Sequence, residues 1–431
     1  MKILVVGSGG REHALVWKLG LSDEVREIYC SPGNAGIAAA AKTRLLPKLS
    51  LRQLLDFAVD QDVDLAVVGP EASLVDGIGD LFRRSGVPLV GPSAEAARLE
   101  GSKAFAKEFM ARHQIPTAAY RVFDDPSAAE RALRSGLFEF PLVLKADGLA
   151  AGKGVLICAD LQEAVAALDR IMIARRFGAA GDRLVIEEFL QGEEASFIVL
   201  ADGAGNVVPM VPSQDHKQIF DGGRGPNTGG MGAYSMDGLL SPDLRRRILD
   251  QVILPTVDGM NQEGRPFAGI LYAGLMLTED GPQVLEYNVR FGDPEAQVIL
   301  PRLRSDLAAL LLQAARGDLA STQAEWTSEA AVCVVAAAKG YPGSYPKGLE
   351  ISGLAKTDRM ENLVVFHAGT SRVDGRYVTS GGRVLGVTAL APSLDEAVRR
   401  AYSGLNEIHF DGIYYRRDIA YRRLSQAERN S

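Results

Sequence analysis

Hydrophobic positions follow two different grammars along the chain. In the first third, short unbroken apolar runs alternate with helical periodicity. Ile3 to Val6 is such a run and predicts a strand buried on both faces. A glycine turn follows, then a helix over about Glu12 to Leu19. Ser50 is placed to cap a helix in which Leu51, Leu54, Leu55, Ala58 and Val59 recur at i, i+3, i+4, i+7 and i+8. Leu65 to Val68 and Val87 to Val90 are further buried runs, ending at Gly69-Pro70 and Gly91-Pro92. Strand, helix and strand at this spacing predict an open parallel α/β sheet. Ligands of such sheets sit at the carboxyl ends of the strands, where the turns GSGG, GPE and GPS fall.

From about Pro116 the pattern changes. Leu142 to Lys145 and Val155 to Cys158 read as strands around a glycine loop. Leu184 to Phe189, Ser196 to Ala201 and Val207 to Val211 read as further strands, the last two joined by Asp202-Gly203-Ala204-Gly205. Hairpins dominate, which predicts antiparallel pairing. A long glycine loop (residues 222–232) precedes a helix near Leu244 to Val257. Strands over Gly269 to Leu277 and Gln283 to Val289 follow, then a helix near Asp306 to Arg316 and a linker over Gly317 to Ser328. The last hundred residues are mostly short strands, plus one helix opened by the capping box Ser393-Leu394-Asp395-Glu396. The basic residues Arg416, Arg417, Arg422 and Arg423 near the end read as the solvated face of a helix.

Length and charge narrow the function classes. At roughly 100–200 residues per domain, 431 residues make two to four domains. A formal charge of −7 argues against a general nucleic-acid binder, and 14 basic against 14 acidic residues in the first 112 leave no basic domain hidden in that average. Cys30, Cys158 and Cys333 are far apart and form no CxxC pair, which fits three buried thiols in a reducing cytosol. The longest apolar run, Ala330 to Ala338, is nine residues, well short of the ~20 that a membrane span needs. The start of the chain does not read as a signal peptide, so the expected location is the cytoplasm. Glycine stands out at 46 residues, about one and a half times its usual ~7% share.

Four segments could carry chemistry. Gly7-Ser8-Gly9-Gly10-Arg11-Glu12-His13 follows the first strand, and glycines there let backbone amides approach a phosphate at a helix N-terminus. Glu12 occupies the third glycine position of a dinucleotide fingerprint. The acid expected ~20 residues on is replaced by Cys30-Ser31-Pro32-Gly33-Asn34, which argues against a nicotinamide cofactor. A phosphate-bearing small molecule with Arg11 as charge partner fits, as does a tight structural turn.

Lys145 to Val155, containing Gly148, Gly152, Lys153 and Gly154, has too few residues between glycines for a P-loop. Strands flank it on both sides. It reads either as a glycine hairpin folded over a nucleotide's phosphates, with Lys145 as the phosphate contact, or as a solvated hairpin. In Leu285-Glu286-Tyr287-Asn288-Val289-Arg290, strand alternation turns Leu285, Tyr287 and Val289 inward and Glu286, Asn288 and Arg290 to the other side. A carboxylate and an amide oxygen so spaced suit Mg²⁺, and Arg290 could grip a carboxylate; a plain amphipathic strand alternates the same way. Ser213 to Lys217 leads into the glycine-rich residues 222–232, which read as a linker or, through Arg224, Asn227 and Thr228, as a loop that orders around an anion. His216 reads as structural or exposed.

Together these segments resemble the ATP-grasp superfamily and, within it, the phosphoribosylamine–glycine ligases. The strings GSGGREHAL, PGNAG, VGPE, GPS, GSKAFAKEFM, LKADGLAAGKGV, EEFLQGEEAS, QDHKQIFDGGRGPNTGGMGAYS and EYNVRFGDPE carry the likeness, in order, from residue 7 to residue 295. The resemblance implies an α/β fold with an N-terminal open parallel domain over 1–102. It implies an ATP-grasp domain over 103–316, its smaller lobe about 117–190, and a small β-rich C-terminal domain over 329–424.

The resemblance also implies residue roles. Lys103 and Lys145 contact ATP phosphates, with Gly152, Lys153 and Gly154 in the hairpin over them. Glu187, Glu188, Phe189 and Leu190 hold adenine, and Glu194 the ribose. Glu286 and Asn288 bind Mg²⁺ or Mn²⁺. Gly9, Gly10, Arg11, Asn34 and Glu71 line the phosphoribosylamine pocket with Asn227, Thr228 and Gly229. Asp215, Lys217 and Arg290 form the catalytic set, Arg290 taking the glycine carboxylate. The implied protein is a monomer that ligates glycine to 5-phosphoribosylamine through an acyl phosphate, with no nucleic-acid or membrane partner. One departure concerns the metal: many grasp enzymes carry a further acid on the preceding strand, where this chain reads Leu271-Tyr272-Ala273-Gly274-Leu275-Met276. Fewer protein ligands for the ion follow from that.

Overall fold

The computed structural model describes residues 1–150 and 154–430. The apolar runs of the first third form a parallel five-stranded sheet in the order Thr43–Leu45, Glu27–Pro32, Lys2–Gly7, Leu65–Val68, Leu89–Val90. Ile3, Leu4 and Val5 are fully buried, because helices cover both faces of the sheet. Only Leu89 and Val90 of the expected third run pair as strand. Ser50 caps Leu51–Asp60 as expected, in a reciprocal box with Gln53. The helix after the first turn is Gly10–Gly20.

Antiparallel pairing governs the middle of the chain. A small lobe holds four strands in the order Tyr120–Phe123, Leu184–Glu188, Leu142–Ala146, Val155–Cys158. A second sheet orders Val207–Pro209, Glu193–Asp202, Ala268–Thr278 and Gly281–Asn288. Its central pair runs in unbroken register from Glu193↔Leu277 to Asp202↔Ala268. On the last strand, Gly274 faces Glu286 but Leu275 faces Val284, so Leu285 is the extra residue of a bulge. Alternation therefore holds for buried Tyr287 and Val289, whereas Leu285 leaves the core and turns its carbonyl toward the small lobe.

Residues 222–232 are not a plain loop. Arg224–Asn227 pairs with Gln218–Phe220 as a hairpin, and Gly232–Ser235 is a strand of the C-terminal sheet. That sheet runs Gln214–Asp215, Gly232–Ser235, Ala330–Ala338, Arg383–Ala391, Leu363–His367. The middle of the chain thus lends two strands to the last third. The helix expected near 244–257 is longer, a continuous run from Pro242 to Gln262 with a π turn at Leu249–Ile253. Pro255 lacks an N–H to continue α pairing, and the wider turn before it absorbs the mismatch.

Two further expectations are corrected. Gly317 to Ser328 is packed rather than free: Leu319 is buried, and Trp326 bridges to Leu303. Arg416 does not solvate a helix. It precedes the helix Tyr421–Asn430, is 1% exposed, and grips Asp418 with two 2.8 Å bonds while donating to Gln218 O at 3.0 Å. The three cysteines are free and buried.

Candidate active site

The strand Leu142–Ala146 delivers Lys145 to the cleft between the small lobe and the second sheet. Its Nζ donates to the bulge carbonyl of Leu285 at 2.9 Å and pairs with Glu187 Oε2 at 2.9 Å. Lys107 pairs with that same oxygen at 3.0 Å and donates to Thr117 Oγ1 at 2.6 Å. Lys107 was not legible as a site residue; it stands one helical turn after Lys103 in Lys103–Arg112, a spacing that shares a face. Burial pulls its ammonium down to about 8, against the opposing pull of Glu187. Glu187 Oε1 is buried and accepts no hydrogen bond among the described residues.

Lys103 Nζ donates to Gly148 O at 2.9 Å; burial lowers its pKa, and Glu286 opposes the shift. The chain beyond Glu187 continues through exposed Glu188, whose Oε1 accepts from Ala119 N at 2.9 Å, to half-buried Phe189 and Leu190. Gly154 O accepts from Ala146 N at 2.9 Å and so closes the hairpin, while Gly152 and Lys153 lie outside the described residues.

Glu286 sits where these cations converge. Burial opposes its ionisation, but Lys217, Lys103, Lys145 and Arg290 together hold its pKa below the usual value. Asn288 is buried two residues on, its Oδ1 accepting from Arg290 Nη2 at 2.9 Å. A carboxylate and an amide oxygen are hard donors and fit Mg²⁺ as a two-ligand partial site completed by substrate oxygens and water. No cluster of three or more His, Cys, Asp or Glu suited to a metal occurs among the described residues.

Arg290 stands at the junction with the first domain. Its Nη2 meets Glu100 Oε1 at 2.7 Å, its Nη1 donates to Phe291 O at 3.2 Å, and its Nε lies 3.5 Å from Glu71 Oε2, buried without a hydrogen bond. Arg11 is committed to Glu12 Oε1 at 2.6 Å and to Phe291 O at 3.0 Å. The other oxygen of Glu12 caps Gly9 N. Asn34 caps Ala35–Ala39 and donates to Ser8 O at 2.9 Å and His367 O at 2.8 Å, tying the first domain to the third.

A third group comes from the segment after the second sheet. Lys217 Nζ lies 2.9 Å from Glu194 Oε2, and Glu194, with Asp215, raises its pKa well above the ordinary value despite burial. Burial, aided by Glu295, Glu194 and Glu286, pushes the Asp215 carboxyl up to about 8 against the pull of Lys217. Asn227 pairs with Gln218, and Thr228 is anchored to Lys217 O by its N and its Oγ1, both at 2.8 Å. Gly229 is held by Tyr341 and Arg383 from the last third of the chain, which nothing local in the sequence announces. His216 is structural: buried and neutral, it accepts from Ala420 N at 3.2 Å. A cavity of about 610 Å³, lined by Val211, Met236, Leu240 and Arg245 among others, includes none of these groups.

Lys103, Lys145, Lys217 and Arg290 thus share one electrostatic cluster around Glu286. Three family models match the chain: the phosphoribosylglycinamide synthetase N domain over residues 1–100, its ATP-grasp (A) domain over 101–296 and its C domain over 331–422. The chain belongs to the phosphoribosylglycinamide synthetase family. Within that family it is 51% identical over 429 residues to a phosphoribosylamine–glycine ligase of Pseudomonas aeruginosa, covering 99% of each chain. A crystal structure of a phosphoribosylamine–glycine ligase from Thermotoga maritima superposes with a TM-score of 0.85 at 36% identity, covering 97% of this chain and 100% of that one. The fold extends beyond the synthetase family. The biotin carboxylase domain of a Hydrogenobacter thermophilus 2-oxoglutarate carboxylase, solved with MgADP, gives a TM-score of 0.72 at 19% identity over 96% of this chain and 91% of that one.

Proposed function

We propose that the protein joins glycine to 5-phosphoribosylamine at the expense of ATP, releasing glycinamide ribonucleotide, ADP and phosphate. The observation that carries this reading is the placement of Glu286. The ammonium groups of Lys103 and Lys145, suited to phosphate oxygens, and the guanidinium of Arg290, suited to a carboxylate, all act on it, Lys145 through the carbonyl of the preceding Leu285 and Arg290 through Asn288. A phosphoryl donor and an acid substrate would meet across that strand.

The chemistry follows from positioning rather than from a protein nucleophile. Arg290 orients the glycine carboxylate so that one oxygen attacks the γ-phosphorus, and the bond to the ADP oxygen breaks. Lys103 and Lys145 bind the phosphate charge, with Gly152, Lys153 and Gly154 as further contacts to the same phosphates. Bound Mg²⁺, for which Mn²⁺ can substitute, supplies charge neutralisation at the phosphates through Glu286 and Asn288. Glu187 to Leu190 and Glu194 hold the adenosine. The phosphoribosylamine nitrogen then attacks the glycyl phosphate carbon and phosphate leaves. Asp215, in its ionised form, accepts the proton that nitrogen loses, and the charge of Lys217 favours that form against the effect of burial. Gly9, Gly10, Arg11, Asn34, Glu71 and Asn227 to Gly229 shape the ribose-phosphate pocket.

We further propose a monomer working in the cytoplasm on small molecules alone. No helix among the described residues is long and apolar enough to cross a membrane. The deciding experiment follows ADP release with each substrate withheld in turn. Release that requires both glycine and phosphoribosylamine is expected; equal rates with alanine or D-alanine in place of glycine would assign a different ATP-grasp ligase.

A further inference from the structure

One carboxylate in the turn after Arg290 ties three distant parts of the chain together. Asp293 Oδ1 accepts from Gln297 Nε2 at 2.7 Å, and its Oδ2 pairs with Arg383 Nη2 at 3.0 Å. Arg383 opens the strand Arg383–Ala391 of the C-terminal sheet. Its Nη1 donates to the carbonyls of Asp293 at 2.8 Å, Gly229 at 2.5 Å and Gly230 at 3.4 Å. The N–H of Gly229 donates in turn to Tyr341 Oη at 3.1 Å. Both polar groups of Gly229 are therefore satisfied by side chains from the last third of the chain.

The opposite side of Asp293 and Gln297 faces the first glycine turn. A Cβ at Gly10 would stand 2.5 Å from Gln297 Nε2, and one at Gly9 would stand 3.2 Å from Asp293 Oδ2. Burial opposes ionisation of Asp293, but Arg383 and then Arg11 hold its carboxyl below the usual range. A half-buried guanidinium such as that of Arg383 is costly unless its donors are matched. Arg383 spends them on backbone carbonyls of two loops, so its geometry fixes those loops rather than merely neutralising a charge.

We propose that Arg383, with Tyr341, is a positioning residue for the ribose-phosphate substrate: it clamps Gly229 and Asp293 against the Gly9–Gly10 turn, and the C-terminal domain thereby completes that pocket. This rests on the function proposed above. It assigns the third domain a share in the reaction, acting through loops and touching no reacting atom.

The test uses the full chain. Initial rates of ADP release are measured for the parent, Arg383→Ala, Arg383→Lys and Tyr341→Phe, with phosphoribosylamine formed in the assay from ribose 5-phosphate and ammonia. Circular dichroism checks the fold. In Arg383→Ala the KM for phosphoribosylamine is expected to rise roughly tenfold or more, with the KM for ATP within about twofold of the parent. Arg383→Lys should recover part of the loss, and Tyr341→Phe should raise the same KM by less. An unchanged phosphoribosylamine KM in folded Arg383→Ala, or equal rises for all three substrates, overturns the proposal. Where Arg383→Ala does not fold, Arg383→Lys decides by the same criterion. Absence of ligation by the parent refutes the proposed function instead, so the two failures are read from different proteins.

Discussion

Arg290 and Glu100 form a partly buried ion pair, with Nη2 2.7 Å from Oε1. The second oxygen of Glu100 accepts from Val289 N at 2.7 Å, so one carboxylate fixes both the backbone and the side chain of this corner. Arg290 is oriented before any substrate arrives, and its buried Nε is still without a hydrogen bond. Replacing the fork with a point charge should therefore cost acid-substrate binding first. In Arg290→Lys we expect the KM for glycine to rise roughly tenfold and that for ATP much less. Steady-state rates over both substrates check this, and an unchanged glycine KM refutes the role.

Glu286 combines half-burial with four cationic neighbours. Glu286→Ala should leave the fold intact and reduce kcat by roughly 100-fold or more, because the partial metal site loses its only carboxylate. Near-normal kcat at saturating Mg²⁺ would remove Glu286 from that site.

Three buried histidines set an acid limit on stability. Burial, first, holds His13 and His216 down at about 3 and His367 at about 4, from an ordinary 6.5. Below pH 6.5 the unfolded chain takes up protons that the folded protein refuses, so stability falls as pH drops through that window and this contribution is flat above it. The slope is about 1.4 kcal/mol per pH unit for each histidine. Urea unfolding of His216→Gln between neutral and mildly acid pH should show a shallower decline than the parent. Equal slopes would show that His216 contributes nothing.

Gly69 ends the strand run that carries VGPE, and a Cβ there would overlap the buried Glu12 carboxylate. Glu12 would have to abandon both Arg11 and the Gly9 amide. Gly69→Ala should destabilise by about 2–4 kcal/mol, measured as a lower urea midpoint at unchanged m. A midpoint equal to the parent's would mean that Glu12 has another place to go.

What could be read from the sequence, and what could not, divides by where a residue finds its partners. Leu65–Val68 was legible because a doubly covered strand must be apolar throughout, whereas Glu27–Pro32 hides the same burial in Tyr29, Cys30 and Ser31. Lys103, Lys145, Glu286 and Arg290 lie in dense local strings of glycine and charge. Lys107 looks like any solvated helix lysine, and only the fold brings Glu187 to it. Arg383 and Glu100 owe their places to partners 90 and 190 residues away, a distance over which no spacing rule operates. Arg416 had its clue close by: Asp418, two residues later, fits a bidentate partner better than a solvated face does. The Leu285 bulge breaks a two-residue period that the sequence keeps on its face, because the extra residue is itself apolar.

The strand Gly232–Ser235 pairs with Ala330–Ala338, roughly 95 residues later. On a ribosome adding about 5–20 residues per second, that partner emerges some 5–20 seconds after the strand itself. During synthesis the glycine-rich hairpin and its neighbours Asp215 and Lys217 hang on an unfinished edge. That edge is covered only once Ala330–Ala338 has left the tunnel, so a chain terminated before it would carry an ATP-grasp domain whose strand Gly232–Ser235 lacks this partner. Order of manufacture, as much as geometry, thus sets when this part of the proposed site can be complete.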